Sequence, residues 1–452
     1  MNLKLVVASM SVLGLVSCPA FAATHAKHKR HHRKPVAAVA VAPVAVNYKD
    51  MGAICTISQA SMIMEAANQN VGRSMPNPCN PGWFNRIQVS GGLNVDFGKF
   101  GNRNQNYMGE NYQRFSINDA YLNIAATVND WAKAFASISY NTATINAPVA
   151  SGATLPAGEY SSAYSNNVTS GGASLLQIEQ AYATFGNFDV SPFYIELGKE
   201  FQDFSRYEIH PITRSLTQVM SETLTTSGKV GFIVPMGLHG AVYAFDDPIS
   251  KLGQTNNTTN YGASLGYDAP SDQLGWDVGI GYLYNMIGVN DVAYIVNQDN
   301  IIAGNGGGYA TRVGAGAAYA DVNSGPFSLG ARYTTALQRF NVTDLSQNGN
   351  ATGFPTNSTG GAKPWAAGIT GGYGFEGWNR SQNVYLGYQA SRQAAGLNLP
   401  KDRWMVGYGI DAFGKNTNVG IEWDHDVAYN TTSGGTGNNT NLVSVRAGVK
   451  FG

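Results

Sequence analysis

Arg206, Tyr207, Glu208, His210 and Arg214 crowd into one segment, FQDFSRYEIHPITRSLTQVMSE at 201–222. Guanidinium, phenol, carboxylate and imidazole at that spacing suit recognition of a charged solute. A guanidinium is planar and always charged, and it donates in pairs to carboxylates and similar anions. The other long connections of the chain are built mostly of Asn, Gly and Thr, so this one stands apart. Folded into a channel it would line a constriction, and ITRSLTQVMSE has the composition for a helical turn or two. His210 alone carries little, because a loop histidine is more often hydrogen-bonded than catalytic.

Arg312, Arg332, Arg403 and Arg446 fall on the polar side of alternating segments, with Arg86, Asp96, Lys133, Glu179, Glu196, Glu422, Asp424 and Lys450. Rings of charged side chains facing water set ionic selectivity, arginines favouring anions and carboxylates cations. The blander alternative is that each pairs with a neighbouring strand and stiffens a wall. No catalytic set is expected, since G-x-S-x-G, H-E-x-x-H and a phosphate-binding glycine loop are all missing. WDHDVAY (423–429) sets Asp424, His425 and Asp426 side by side, but consecutive strand residues alternate faces, so His425 would point away from both aspartates. Neither a resident metal nor a cofactor is expected.

The elements that position these residues are read from periodicity. In GWDVGIGYLYNM (275–286) one face carries Trp276, Val278, Ile280, Tyr282, Tyr284 and Met286, and the other Asp277, Gly279, Gly281, Leu283 and Asn285. Such alternation marks a strand with one greasy face. Segments of this kind recur from Phe84 onward: 86–97, 115–128, 131–140, 175–186, 192–200, 223–234, 237–246 and 259–268, then 274–286, 309–320, 326–335, 364–375, 381–391, 402–413, 416–426 and 441–451. Each is about ten residues long, enough for a tilted strand to cross a bilayer. Connections alternate long and short, as outer loops and inner turns of an outer-membrane barrel do. Outward aromatics at strand ends (Trp276, Tyr284, Phe327, Tyr333, Trp365, Tyr373, Phe375, Trp404, Phe451) would form interfacial girdles.

Composition agrees. Charged residues are 13% of the 452, about half the usual ~25%, and 54 Gly and 24 Tyr help fill the gap. The expected fold is all-β: a transmembrane antiparallel barrel of about 16 strands at 83–452, of outer-membrane type and without a plug domain. A barrel that wide encloses an aqueous channel. Neither charge balance nor aromatic placement suggests a nucleic-acid surface.

The leading residues read as an export signal at 1–22, with Lys4, an apolar run from Leu5 to Val16, and small residues at Ala20 and Ala22 before cleavage. LVSC (15–18) also fits a lipoprotein-type site, with Cys18 lipidated. Residues 23–46 are a basic, His-rich tail (THAKHKRHHRKP) and an Ala/Val/Pro spacer; the tail is read as solvated and attracted to anionic envelope polymers. Residues 47–82 form a short periplasmic segment in which an oxidising compartment predicts a Cys55–Cys79 disulfide. They are too few for a plug.

Three stretches also carry a resemblance. AYATFGNFDVSPFYIELGKEFQDFSRYEIHPITRSLTQVMSET (181–223), GYQASRQAAGLNLPKDRWMVGYGIDAF and GIEWDHDVAY are similar to plugless siderophore porins typified by the legiobactin receptor. The likeness runs from about Trp83 to the C-terminus. It implies an outer-membrane barrel admitting a ferric siderophore or similar small anionic chelate by diffusion. Arg206, Arg214, Arg312, Arg332, Arg403 and Arg446 would guide it. Two alternatives stand beside this: a general diffusion porin for small solutes, and a surface adhesin or structural barrel. Expected surroundings are outer-membrane lipid and lipopolysaccharide, with an oligomer open.

Overall fold

The computed structural model describes residues 87–101, 112–141, 175–206, 212–255, 259–269, 274–302, 307–347 and 360–451, save Asp189 and Thr436. The export signal, the His-rich tail, the spacer, Arg86, Cys55 and Cys79 lie outside the described residues. Sixteen strands follow in order. The first eight are β1 (Ile87–Gly101), β2 (Tyr112–Asn129), β3 (Ala132–Asn141), β4 (Leu175–Phe185), β5 (Phe193–Phe201), β6 (Leu224–Ile233), β7 (Leu238–Asp246) and β8 (Thr259–Ala269). The rest are β9 (Gly275–Leu283), β10 (Ala315–Ser324), β11 (Phe327–Ala336), β12 (Trp365–Gly377), β13 (Arg380–Arg392), β14 (Asp402–Ile410), β15 (Thr417–Val427) and β16 (Thr440–Phe451).

Each strand pairs antiparallel with its sequence neighbours, and β1 pairs with β16, so the sheet closes. Closure leaves no strand edge unpaired, which a hydrocarbon environment requires because it offers no water to an open N–H or C=O. Side chains alternate as expected: on β9, Trp276, Ile280 and Tyr282 are exposed on the outer wall, while Gly275, Gly279 and Leu283 are buried. The greasy face of GWDVGIGYLYNM is therefore lipid-facing wall along β9.

Two aromatic belts flank that wall. Tyr267 stacks on Trp276 and Phe327 meets Tyr373 at one level, both 5.0 Å between centroids. Tyr261–Tyr284 (4.4 Å) and Tyr388–Trp404 (4.6 Å) make the other. Inside, the high Gly and Tyr content has a packing cause. Tyr194, Tyr243, Tyr319 and Tyr385 lie flat across the neighbouring strand, where a Cβ on Gly231, Gly262, Gly279 or Gly407 would overlap the ring.

Connections after odd-numbered strands are the long ones. The chain turns within two residues at 130–131, 325–326 and 378–379, the last with both Trp378 and Asn379 at φ near +55°. That pair of left-handed residues is the type I′ geometry that matches strand twist.

Three sequence expectations need correction. The strand expected at 274–286 ends at Leu283, and the loop expected at 287–308 contains a helix, Asn290–Ile302. The strand expected at 309–320 begins only at Ala315, because Tyr309 and Val313 turn inward to pack under that helix.

Candidate constriction and its anchors

The connection between β5 and β6 does not stay outside. Its first and last residues meet, Thr223 C=O accepting from Gln202 N–H at 2.8 Å, and the chain between them enters the barrel as an inner loop. Near its start, Gln202 Nε2 donates to Ser227 Oγ (2.8 Å). There Lys229 on β6 faces three carboxylates, Glu200 at 2.9 Å, Glu196 at 3.2 Å and Asp203 at 3.4 Å. The Phe204 carbonyl then lies against Gly281 on β9, a position that tolerates no side chain. Arg206 forms an ion pair with Asp277 on β9, its guanidinium 4.9 Å above the Tyr319 ring on β10.

Tyr207, Glu208 and His210 lie at 207–211, outside the described residues. The loop resumes against the β13–β16 wall. Glu422 on β15 accepts the backbone N–H of Ile212 (2.6 Å) and of Thr213 (2.7 Å). Arg446 on β16 donates to the Ile212 carbonyl (3.2 Å), and Arg403 on β14 to the Arg214 carbonyl (3.0 Å). Gln389 on β13 accepts from Leu216 N–H at 2.8 Å. Four consecutive strands thus hold the loop's backbone. A short helix, α1 (Leu216–Val219), follows, capped by Ser215 Oγ accepting from Gln218 N–H. The sequence expectation of a helical turn in ITRSLTQVMSE is met here.

The loop's upper side is apolar. Leu216, Val219 and Met220 pack in one buried cluster with Val289, Val292, Ala293 and Val296 of the β9–β10 connection, whose helix Asn290–Ile302 is α2. Arg214 ties the same elements by charge, reaching Asp291 on α2 at 2.8 Å and Glu222 at 3.3 Å. Burial pushes the Asp299 carboxyl on α2 up to about 8. It also raises that of Asp344 in the β11–β12 connection, although Ala310 and Thr311 N–H groups donate to it.

Five of the six arginines singled out from sequence face this interior, and each is matched by acid. Arg332 forks onto Asp321 (2.8 and 2.9 Å), Arg403 onto Asp426 (2.7 and 2.8 Å), and Arg446 onto Asp96 (2.8 Å twice). Arg206 and Arg214 have the partners given above. Arg312 is a correction. Its guanidinium sits 5.3 Å over Tyr284 and donates to that hydroxyl, and Tyr284 stacks on Tyr261 in the outer belt. Strand parity does not extend back to it, because β10 starts three residues later.

Asp424 differs from its neighbours. It is buried on β15 between Glu422 and Asp426, and neither carboxylate oxygen has a donor in hydrogen-bonding geometry; Thr213 and Arg403 are the polar groups beside it. His425 points to the other face, against Asn441 and Trp423, as strand alternation requires. Below the anchored loop lies a cavity of about 140 Å³, lined by Tyr121, Asn383, Tyr385, Tyr408, Asn418 and Arg446 among others. Tyr385 donates from there to Glu422 at 2.7 Å. Lys229, Glu200 and Asp203 were missed from sequence, although the alternation that placed Glu196 inward also marks Glu200.

Solved structures match this architecture. Pseudomonas putida OprB aligns with a TM-score of 0.53 at 10% identity, covering 84% of this chain and 99% of that one. Salmonella typhi OmpF aligns at 0.50 and 14%, covering 81% and 97%. The fold is that of the outer-membrane porins. At these identities the likeness concerns the fold alone. No protein-family model matches the chain. By sequence it is similar to UPF0422 proteins, 24% identical over 430 residues to one of Legionella pneumophila Philadelphia 1, which spans 90% of this chain and 73% of that protein. A Coxiella burnetii UPF0422 protein is 26% identical over 276 residues, 60% of this chain, which spans only 55% of that relative. The chain is a barrel of the bacterial outer membrane with a porin-like bore.

Proposed function

We propose that this protein is a plugless diffusion channel for small polar solutes, narrowed by its inner loop. The observation that carries the reading is the crossing itself: Gln202 and Asp203 lie against β6, Phe204 and Arg206 against β9 and β10, and residues 212–216 are bound to β13–β16. A wall of polar and charged side chains faces the loop from both sides, and the lipid-facing surface is apolar. In a planar bilayer the purified chain should give discrete single-channel steps; a barrel serving as an adhesin or scaffold would give none.

Passage of a ferric siderophore or similar anionic chelate is the narrower reading, and the sequence resemblance supports it. It requires guanidiniums available to a carboxylate-rich ligand, and the five interior arginines are already engaged by Asp or Glu. We therefore place the general channel first. Saturable uptake of a ferric siderophore that is lost on deleting 207–211 would reverse that order. An outer wall in contact with lipid and lipopolysaccharide, and assembly with further copies, belong to the same proposal.

A further inference from the structure

The cavity below the anchored loop is floored by carboxamides, and we propose that it is a subsite for a neutral polyhydroxylated solute, taken one sugar ring at a time. This deepens the channel reading above and rests on it. Strand register builds the floor. Asn383 on β13 stands opposite Gly409 on β14, and Asn94 on β1 opposite Gly448 on β16, which on its other side faces Asn418 on β15. The Asn383 amide lies where a Cβ on Gly409 would stand, with the Asn418 amide beside it, and the Asn94 amide takes the same place over Gly448. Among the described residues, no group hydrogen-bonds these three side-chain amides.

A carboxamide carries one acceptor oxygen and two donor hydrogens, and a hydroxyl is donor and acceptor at once. Amides in this arrangement therefore match neighbouring hydroxyls, whereas a carboxylate only accepts and meets their oxygens unfavourably. The charges of the described lining balance: Arg446 is forked onto Asp96, and Lys450 and Asp411 are one of each sign. Tyr121 and Tyr385 lie flat on the wall over Gly92 and Gly407, so each offers a ring face to the apolar C–H side of a sugar. Aromatic faces with a few convergent polar groups are the usual lining of a small-molecule site. The cavity holds about 140 Å³. A space of roughly 150 Å³ accommodates one six-membered carbon ring, so this one suits a single monosaccharide unit. It lies between the inner loop and the 411–416 turn, so a solute moving inward meets it past the constriction.

The test is block of KCl conductance by D-glucose, with the purified full chain in a planar bilayer. Glucose should reduce the current saturably, with half-block in the millimolar range, while an ethylene glycol oligomer of equal size, rich in acceptors and poor in donors, should not saturate. Asn383→Leu should raise the half-blocking concentration about three- to tenfold, the loss of one or two hydrogen bonds, read against the variant's own sugar-free current. Asn418→Ala gives the same readout from β15 should the first variant fail to assemble. Glucose that blocks no better than the oligomer overturns the inference while the channel reading stands. So does a half-blocking concentration unmoved in both variants, or equal block by glycine or citrate. A chain that inserts without conductance overturns the channel reading itself, and the subsite with it.

Discussion

The Glu422 carboxylate binds the inner loop by its backbone, accepting from Ile212 N–H at 2.6 Å and Thr213 N–H at 2.7 Å across 210 and 209 residues of sequence. Because the donors are main-chain, the contact does not depend on which side chains the loop carries there. Charge-assisted bonds of this type contribute about 1.5–3 kcal/mol each when desolvated. Glu422→Ala should release the loop from β15 and leave the barrel closed. Single-channel conductance should rise and become noisier, with the folded fraction on a heated gel little changed. Unchanged steps would mean that the loop does not set the bore.

Arg403→Ala makes a different prediction. Asp426, buried and held by a two-pronged pair, would be left as an uncompensated charge, a loss of about 3–5 kcal/mol. The thermal unfolding midpoint in detergent should fall markedly. Arg403→Lys should recover only part of it, because an ammonium cannot reproduce the planar fork.

The outer wall can be tested at Ile280, exposed mid-strand on β9. Lysine there faces hydrocarbon and should cost about 2–4 kcal/mol near the bilayer midplane. Refolding into lipid vesicles by urea titration reads this directly. A cost near zero would mean that Ile280 faces protein or water.

Asp299 on α2 gives a pH dependence. Its folded carboxyl titrates near 8, against about 4 in an unfolded chain, because burial penalises the charged form. Packing of α2 is therefore most stable below pH 4 and weakens as pH rises from there through 8. Asp299→Asn should remove this dependence, leaving hydrogen exchange of α2 amides slow at pH 8 and unaltered at the acid end.

The barrel was legible from residue types because its two faces meet different solvents and alternate with period two. The sixteen strands and both belts follow from that contrast, whereas the 201–222 segment stood out by its charge and aromatic rings, which did not by themselves say that it folds inward. The α2 helix was not legible, since NDVAYIVNQDNII is buried on most sides and shows no clean polar face. Nor were the partners of the arginines. Asp96 and Arg446 lie 350 residues apart and become neighbours only through the register that closes β1 on β16. Spacing places a charge inside, but only register says whether another charge has already claimed it.

Surface loops of a barrel are ordinarily its freest parts, open to drift under attack by phage or antibody. Here α2 and α1 share one greasy core and one arginine. Remodelling the exterior would therefore disturb the sieve beneath, and the two can change only in concert.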